Sequence, residues 1–273
     1  MLIGRRVVGT VGVMGGVPAV YTEFAWALMQ FAQLNERFVQ GPTEEILYLL
    51  TRQSYHASAR NELAARMEGD WLFMLDTDQT FAPSVLQRLL RPFQEHDLDI
   101  ITGLYYQKGP PYLPVLFRWL LPQPLTPSPA GRGGRDGGAQ FISGFNDDTL
   151  LKVDAAGAGC LLVRRRVFDR IALELGEEPF TPFDGYSEDL SFFKRCQRLG
   201  IEAWCHPAVE MEHLRTAAVT RQDHNQAAGE LGGEEYEVEA LTPSAAEASE
   251  RSACAMTAAL CIVDTGNRQW GKG

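Results

Sequence analysis

An α/β fold, with a mostly parallel central sheet flanked by helices, is the architecture that this chain predicts. Short apolar runs alternate with stretches whose apolar residues recur at helical spacing, the rhythm of strands connected by helices. Two of those runs end in loops, at 13–18 and 76–78, which a parallel sheet would bring to one edge. In such sheets ligands sit beyond the carboxyl ends of the strands. The 273 residues are enough to bury a full core, as one domain with an appendage.

The first element, Arg6–Val13, is β-branched and apolar and runs into "GVMGGVP", a strand leading to a loop. Val20, Phe24, Ala27, Leu28 and Phe31 give a helix over Ala19–Leu34, and "RFVQ" (37–40) reads as a short second strand. "SARNELAARM" (58–67) is helical with Ser58 as cap, 71–76 is a strand, and 82–93 is a helix with Pro83 in its first turn. "DIITGLYY" (99–106) returns as a strand. Residues 120–146 are rich in Pro and Gly without periodicity, the mark of a lid or insertion. One or two strands fill 150–165, a short helix comes next around Val167–Leu173, and 187–200 is a helix with Ser187 as cap and Gly200 as terminator. Residues 202–214 are extended, and beyond Ala217 the chain turns acidic and alanine-rich.

Composition narrows the function. A hydrophobic content of 45% with 22% charged residues is that of a globular protein, and a net charge of −10 excludes a nucleic-acid coat. Much of that charge is local, because 231–250 contains no Lys or Arg. Five cysteines form no C-x-x-C pair, which suits reduced thiols in the cytoplasm, and no apolar run has the length of a membrane span. The glycines of "MLIGRRVVGTVGVMGG", and the lack of an A-x-A site after it, make it a first core strand rather than a signal peptide.

Four features carry chemistry. Asp76-Thr77-Asp78 ends the run "WLFML", and in extended backbone residues i and i+2 point the same way, so both carboxylates can face one ligand. Oxygens so placed suit Mg2+ or Mn2+ with positions open for phosphate and water, although the pair reads equally as an acidic turn. Glu188-Asp189 falls in the first turn of a helix, where the dipole favours acids and where a carboxylate can serve as a base. His213, at the end of an extended stretch, is either structural or a ligand completing such a metal site. Arg60-Asn61 is an exposed helix start or a partner for a diphosphate or for the metal carboxylates. "GVMGGVP" is no G-x-G-x-x-G fingerprint and no G-K-[ST] comes after it, so dinucleotide-binding and P-loop readings fail. The run "DTDQT" also matches the opening motif of haloacid-dehalogenase-type phosphatases, with Asp76 as nucleophile and Asp78 as general acid. Against that stand the elements preceding it and a second acidic pair offered only by Asn146-Asp147-Asp148.

Taken in order, "VPAVYTEF", "ARNELA", "DWLFMLDTDQTFAPSVLQRLL", "GLYYQKGPP", "GAGCLLVRRRVFDRI", "FDGYSEDLSFFKRCQRLGI" and "WCHPAVEMEHL" resemble a GT-A fold glycosyltransferase of the family-two type, from about Val7 to Leu214. The resemblance implies a nucleotide-diphosphate sugar donor, an Mn2+ or Mg2+ cofactor, and a glycan, lipid or small-molecule acceptor. It implies that Asp78 ligates the metal, that Asp76 supports the metal or the ribose, and that His213 is a further ligand. Asp189, beside Glu188, becomes the base of an inverting hexosyl transfer. The resemblance also implies that Val13, Pro18, Arg60, Asn61, Asp76, Thr77, Gly159 and Cys160 lie in the segments that line the donor site. The first loop lacks the acidic or Asn-Glu signature near the base-binding strand, and no Q-x-x-R-W stands after Glu188-Asp189, which favours a single transfer over polymer synthesis. The expected organisation is a catalytic domain at 1–218, with a loop or lid at 119–149, and an acidic extension at 219–273. A phosphatase, a nucleotidyltransferase of similar design and a non-catalytic sugar-nucleotide-binding protein are the alternatives.

Overall fold

The computed structural model describes residues 5–17, 19–38, 44–119, 139–142, 144–147, 149–215, 220–222, 224–225 and 240–241. Pro18, most of the Pro/Gly-rich loop and most of the acidic extension lie outside them. In chain order come β1 (Arg6–Val13), α1 (Thr22–Phe38), β2 (Glu44–Leu50), α2 (His56–Arg66), β3 (Trp71–Leu75), β4 (Gln79–Phe81) and α3 (Val85–Glu95). Next are β5 (Ile100–Leu104), β6 (Leu116–Trp119), β7 (Ala139–Phe141), β8 (Leu150–Val153), β9 (Ala155–Ala156) and β10 (Cys160–Arg164). Then α4 (Arg165–Arg170) widens into a π-helical turn, Ile171–Leu175, before α5 (Glu188–Arg198), β11 (Ala203–His213) and β12 (Ala240–Leu241).

Among the described residues the central sheet runs β12-β8-β11-β5-β10-β3-β1-β2, with β4 attached to β11, and β7-β6-β9 form a smaller sheet. β1 is parallel to both β2 and β3, and β11 is parallel to β5. β10 and β8 run against their neighbours, so the sheet is mostly but not wholly one-directional.

The run "WLFML" is apolar throughout because β3 is buried on both faces of this sheet. Trp71, Phe73 and Leu75 pack on one side with α1 and α3 (Phe24, Phe31, Leu86, Leu89). Leu72 and Met74 pack on the other with α2 and α5 (Leu63, Leu190, Phe193). Each such side chain contributes roughly 1.5–3 kcal/mol of burial. The strand's alternation therefore assigns the next residue, Asp76, to the α2/α5 side.

Several expectations are corrected. Of the strand expected at 37–40, the described residues 37–38 are helical instead: α1 continues to Phe38, and within it buried Asn35 donates to the Phe31 carbonyl (2.7 Å) and accepts from Gln87 (3.1 Å); 39–40 lie outside the described residues. The strand beside β1 is Glu44–Leu50 instead. Ser58 does not cap α2, which begins at His56 with Tyr55 at the N-cap position. Ser187 does occupy the N-cap of α5, but its hydroxyl serves Asp189 and makes no capping bond. Parts of the expected extension join the fold: β12 pairs with β8, and His224 stacks on Tyr106 with centroids 4.7 Å apart. Among the described residues no helix is long and apolar enough to cross a membrane.

Candidate active site

The carboxyl ends of β1, β2 and β3 meet at one edge. Val13 lies level with Leu75 and Leu50, Met14 N–H donates to the Leu75 carbonyl (3.2 Å), and Thr51 N–H donates to that of Val13 (3.1 Å). The loop after β1 and the Asp76-Thr77-Asp78 turn are therefore neighbours. Val13 itself is buried, so its side chain belongs to the core. Thr77 is buried within the turn.

Arg60 organises one half of the site. It lies on the inner face of α2 with Ala57, Ala59 and Leu63, only 2% exposed. Its Nη2 donates to both oxygens of Asp76 (3.0 and 3.2 Å), and its Nη1 donates to Glu188 Oε1. Burial alone would lower the guanidinium pKa, but the charges of Asp76, Asp189 and Glu188 raise it, so Arg60 stays a cation. Residues 76 and 188 are joined by one buried side chain.

Asn61, the next residue, turns elsewhere. Its Oδ1 accepts from Phe180 N–H (2.8 Å), and its Nδ2 donates to Thr181 Oγ1 (3.1 Å) and Glu178 Oε2 (3.2 Å). Arg195 holds the same loop from α5 through Glu177 Oε2 (2.8 Å). Asn61 thus clamps the segment that delivers α5, which fixes the spacing between Arg60 and Glu188. At the start of α5, Asp189 Oδ1 accepts from the Ser187 hydroxyl and from Leu190 N–H (2.9 Å).

The other half forms where β4 pairs antiparallel with the end of β11, setting His213 opposite Gln79 and Leu214 N–H on the Asp78 carbonyl (2.7 Å). His213 Nδ1 lies 2.8 Å from the Tyr106 carbonyl, which can only accept, so Nδ1 is the donor in that contact. Its Nε2 then faces Asp78 Oδ2 at 3.6 Å, and Lys108 Nζ donates to that same oxygen (2.5 Å). Burial pushes the Asp78 carboxyl up, yet hydrogen bonding and charge from His213 and Lys108 overcome it and hold the group well below the usual carboxylate range.

Gly159 and Cys160 separate. A Cβ on Gly159 would lie 2.3 Å from Gln79 Nε2 and 2.9 Å from Asp76 Oδ2, so only glycine lets the backbone approach the carboxylate this closely. Cys160 begins β10 and packs with the α1/α3 core on the opposite face from Arg60. Its thiol is fully buried and pushed up to about 12 by that burial. The Cys160 side chain therefore belongs to the core, and only its backbone continues the stretch expected to line the donor site.

Three neighbours carry no role that the sequence alone would assign. Lys108 and Tyr105 lie in "GLYYQKGPP", a stretch that bears on the family resemblance only through its place in the order. The Tyr105 hydroxyl accepts from Gly159 N–H (3.2 Å), and burial with the charges of Asp76 and Asp189 raises its pKa well above the ordinary value. The Gln79 carboxamide is fully buried beside Gly159, and among the described residues neither of its polar atoms has a hydrogen-bond partner.

The chemistry of the donors fits a divalent ion. Among the described residues Asp78 Oδ1 is buried without a hydrogen-bond partner, and His213 Nε2, whose ring Nδ1 is taken by the Tyr106 carbonyl, faces the same carboxylate. Among the described residues no three His, Cys, Asp or Glu side chains form a metal cluster, and both oxygens of Asp76 are engaged by Arg60. Two protein donors, Asp78 and His213, are what these residues offer an ion.

A family model described as glycosyl transferase family 2 matches residues 31–170, just over half of the chain. The chain belongs to glycosyl transferase family 2. The family expected from the residues is the family found, and the mixed sheet flanked by helices is the transferase's GT-A fold. This assignment displaces the phosphatase alternative. No curated protein matches the transferase. Among solved structures it is similar to A197 from STIV, at 16% identity over 88% of this chain and 95% of that one, with a TM-score of 0.48. It is also similar to GalNAc-T7, solved with UDP, GalNAc and Mn2+, at 12% identity over 84% of this chain and 48% of that one, with a TM-score of 0.47. The transferase thus spans about half the length of GalNAc-T7, and at these scores neither likeness adds to the family assignment.

Proposed function

We propose that this transferase moves one hexosyl unit from a nucleotide-diphosphate sugar to an acceptor hydroxyl, with inversion and with Mn2+ or Mg2+ as cofactor. The acceptor is a glycan, lipid or small molecule, the setting is the cytoplasm, and 1–218 is the catalytic domain with 219–273 as its extension. The observation that carries the reading is Arg60, which ties Asp76 to Glu188 while Asp78 and His213 face each other beside them.

Asp78 and His213 would hold the ion. When bound, it supplies Lewis-acid stabilisation of the negative charge on the departing diphosphate. Arg60 holds Asp76 and Glu188 in place and adds positive charge on the diphosphate side. Asp189, held by Ser187 and Leu190 N–H, takes the proton of the acceptor hydroxyl as its oxygen bonds to the anomeric carbon and the sugar–phosphate bond breaks toward the diphosphate.

A thermal-shift panel of nucleotide-diphosphate sugars with and without Mn2+ identifies the donor, because a ligand that binds the native state raises the melting temperature. With that donor, calorimetry on Asp78→Ala is expected to show no Mn2+-dependent binding; full binding would remove the metal role. Asp189→Asn is expected to keep donor affinity and lose roughly a hundredfold or more in transfer rate. A near wild-type rate would remove the base. Donor binding by the native protein with neither transfer nor slow donor hydrolysis would leave a binding protein.

A further inference from the structure

Lys108 holds a position that the proposed mechanism does not use. Its ammonium donates at 2.5 Å to Asp78 Oδ2, the oxygen that His213 Nε2 faces at 3.6 Å. A cation therefore already stands on the carboxylate, beside the imidazole nitrogen that would complete a metal pair.

The surroundings distinguish this contact from a permanent ion pair. Lys108 springs from a tight turn whose backbone is fastened independently of its side chain. Gln107 N–H donates to the Leu113 carbonyl (2.9 Å), Tyr112 N–H to that of Gly109 (2.9 Å), and Arg215 Nη1 to that of Lys108 itself (3.1 Å). The loop need not move for the ammonium to leave. The Lys108 side chain is 40% exposed, so its flexible stem has water to swing into. An ammonium is a compact point charge that answers one oxygen, and Asp78 Oδ1 stays buried and unpartnered beside it. A divalent ion brings more charge to that carboxylate, and like-charge repulsion excludes the ammonium from the same oxygen.

We propose that Lys108 is an exchangeable counter-cation of the metal site. It neutralises Asp78 in the free protein, is displaced when a divalent cation binds, and thereby lowers the affinity of the site for that cation. The inference rests on the reading of Asp78 and His213 as the metal donors.

The experiment titrates the full-length, donor-free protein with Mn2+ and follows bound ion by electron paramagnetic resonance. Wild type, Lys108→Met, Lys108→Arg and Asp78→Asn are compared after thermal melts confirm that each is folded. Lys108→Met is expected to bind Mn2+ about three- to tenfold more tightly, the range for losing a partly screened charge-assisted competitor. Lys108→Arg, which keeps the charge, is expected to stay within about twofold of wild type. Equal or weaker Mn2+ binding by Lys108→Met, with binding still abolished in Asp78→Asn, overturns the exchange while leaving the metal site standing. Mn2+ binding that Asp78→Asn does not disturb, or no binding in any variant, overturns the metal reading and the exchange together.

Discussion

Asp76 and Asp78 stand two residues apart in one turn, yet their surroundings are opposite. Asp76 is held through both oxygens by Arg60, whose side chain is 3% exposed. Asp78 meets a lysine that is 40% exposed and, at 3.6 Å, the Nε2 of His213, and its Oδ1 has no partner among the described residues. A planar guanidinium buried between two carboxylates is a permanent fixture, whereas an ammonium on a flexible stem is replaceable. The first carboxylate builds the site, and the second is kept open for exchange.

The largest effect should come from the fixed half. Arg60→Met leaves Asp76 and Glu188 facing each other without their shared cation. Removing one partner of a buried pair costs about 3–5 kcal/mol, and because these carboxylates are partly solvated the loss is expected near about 3 kcal/mol in urea unfolding. A loss under about 1 kcal/mol would mean that Arg60 is not what joins the two motifs. Gly159→Ala sharpens the comparison further. Its methyl group would press on Gln79 and on Asp76, at an expected cost of about 1–3 kcal/mol. Donor affinity should fall with it while Mn2+ affinity at Asp78 stays near wild type, and an equal loss of both would show that the halves are coupled. The smallest change is expected for Asp78→Asn, within about 1 kcal/mol of wild type at pH 7, as for partly exposed ion pairs. The Asp78 carboxyl lies below its ordinary range in the folded protein, so its stabilisation is present above that range and is lost as pH falls toward the lowered value. The variant should therefore show a shallower acid limb in a pH series of unfolding curves, and an unchanged limb would remove the coupling to Lys108 and His213.

Much of this was legible in the residues, and the gaps have physical causes. β1, β3 and β5 announce themselves as β-branched or continuous apolar runs, β11 reads as an extended stretch, and Arg60, Asp76, Asp78, Glu188 and His213 all lie where the two halves of the site are built. Strand direction is invisible to periodicity, so the reversed β8 and β10 could not be anticipated. β2 escapes a reading of the residues although "EILYLL" is apolar, because "RFVQ" offers an earlier β-like stretch, whose first two residues close α1 instead. Cys160 misleads because proximity in sequence to Gly159 says nothing of parity, and the two side-chain positions lie on opposite faces of the sheet. Lys108 sits in "QKGPP", a turn without periodicity, and meets Asp78 from thirty positions away, so only the folded chain gives it a partner.

One feature of β11 governs how the open half tolerates change. Its first residues pair in step with β5 from Ala203 to His206, and pairing resumes only when Glu210 meets Leu104. Between them Pro207, which has no N–H to give a ladder, opens a short unpaired span, and Gly103 makes room for it; a Cβ there would lie 2.8 Å from the Val209 carbonyl oxygen. Downstream, Met211, Glu212 and His213 pair with β4 in strict one-to-one step. The span at 207–209 is thus a seam with spare length, where residues can be gained or lost without resetting the register of 211–213. Beyond it there is no slack: one residue added between Met211 and Glu212 would bring Glu212 opposite Gln79 and exchange an imidazole for a carboxylate.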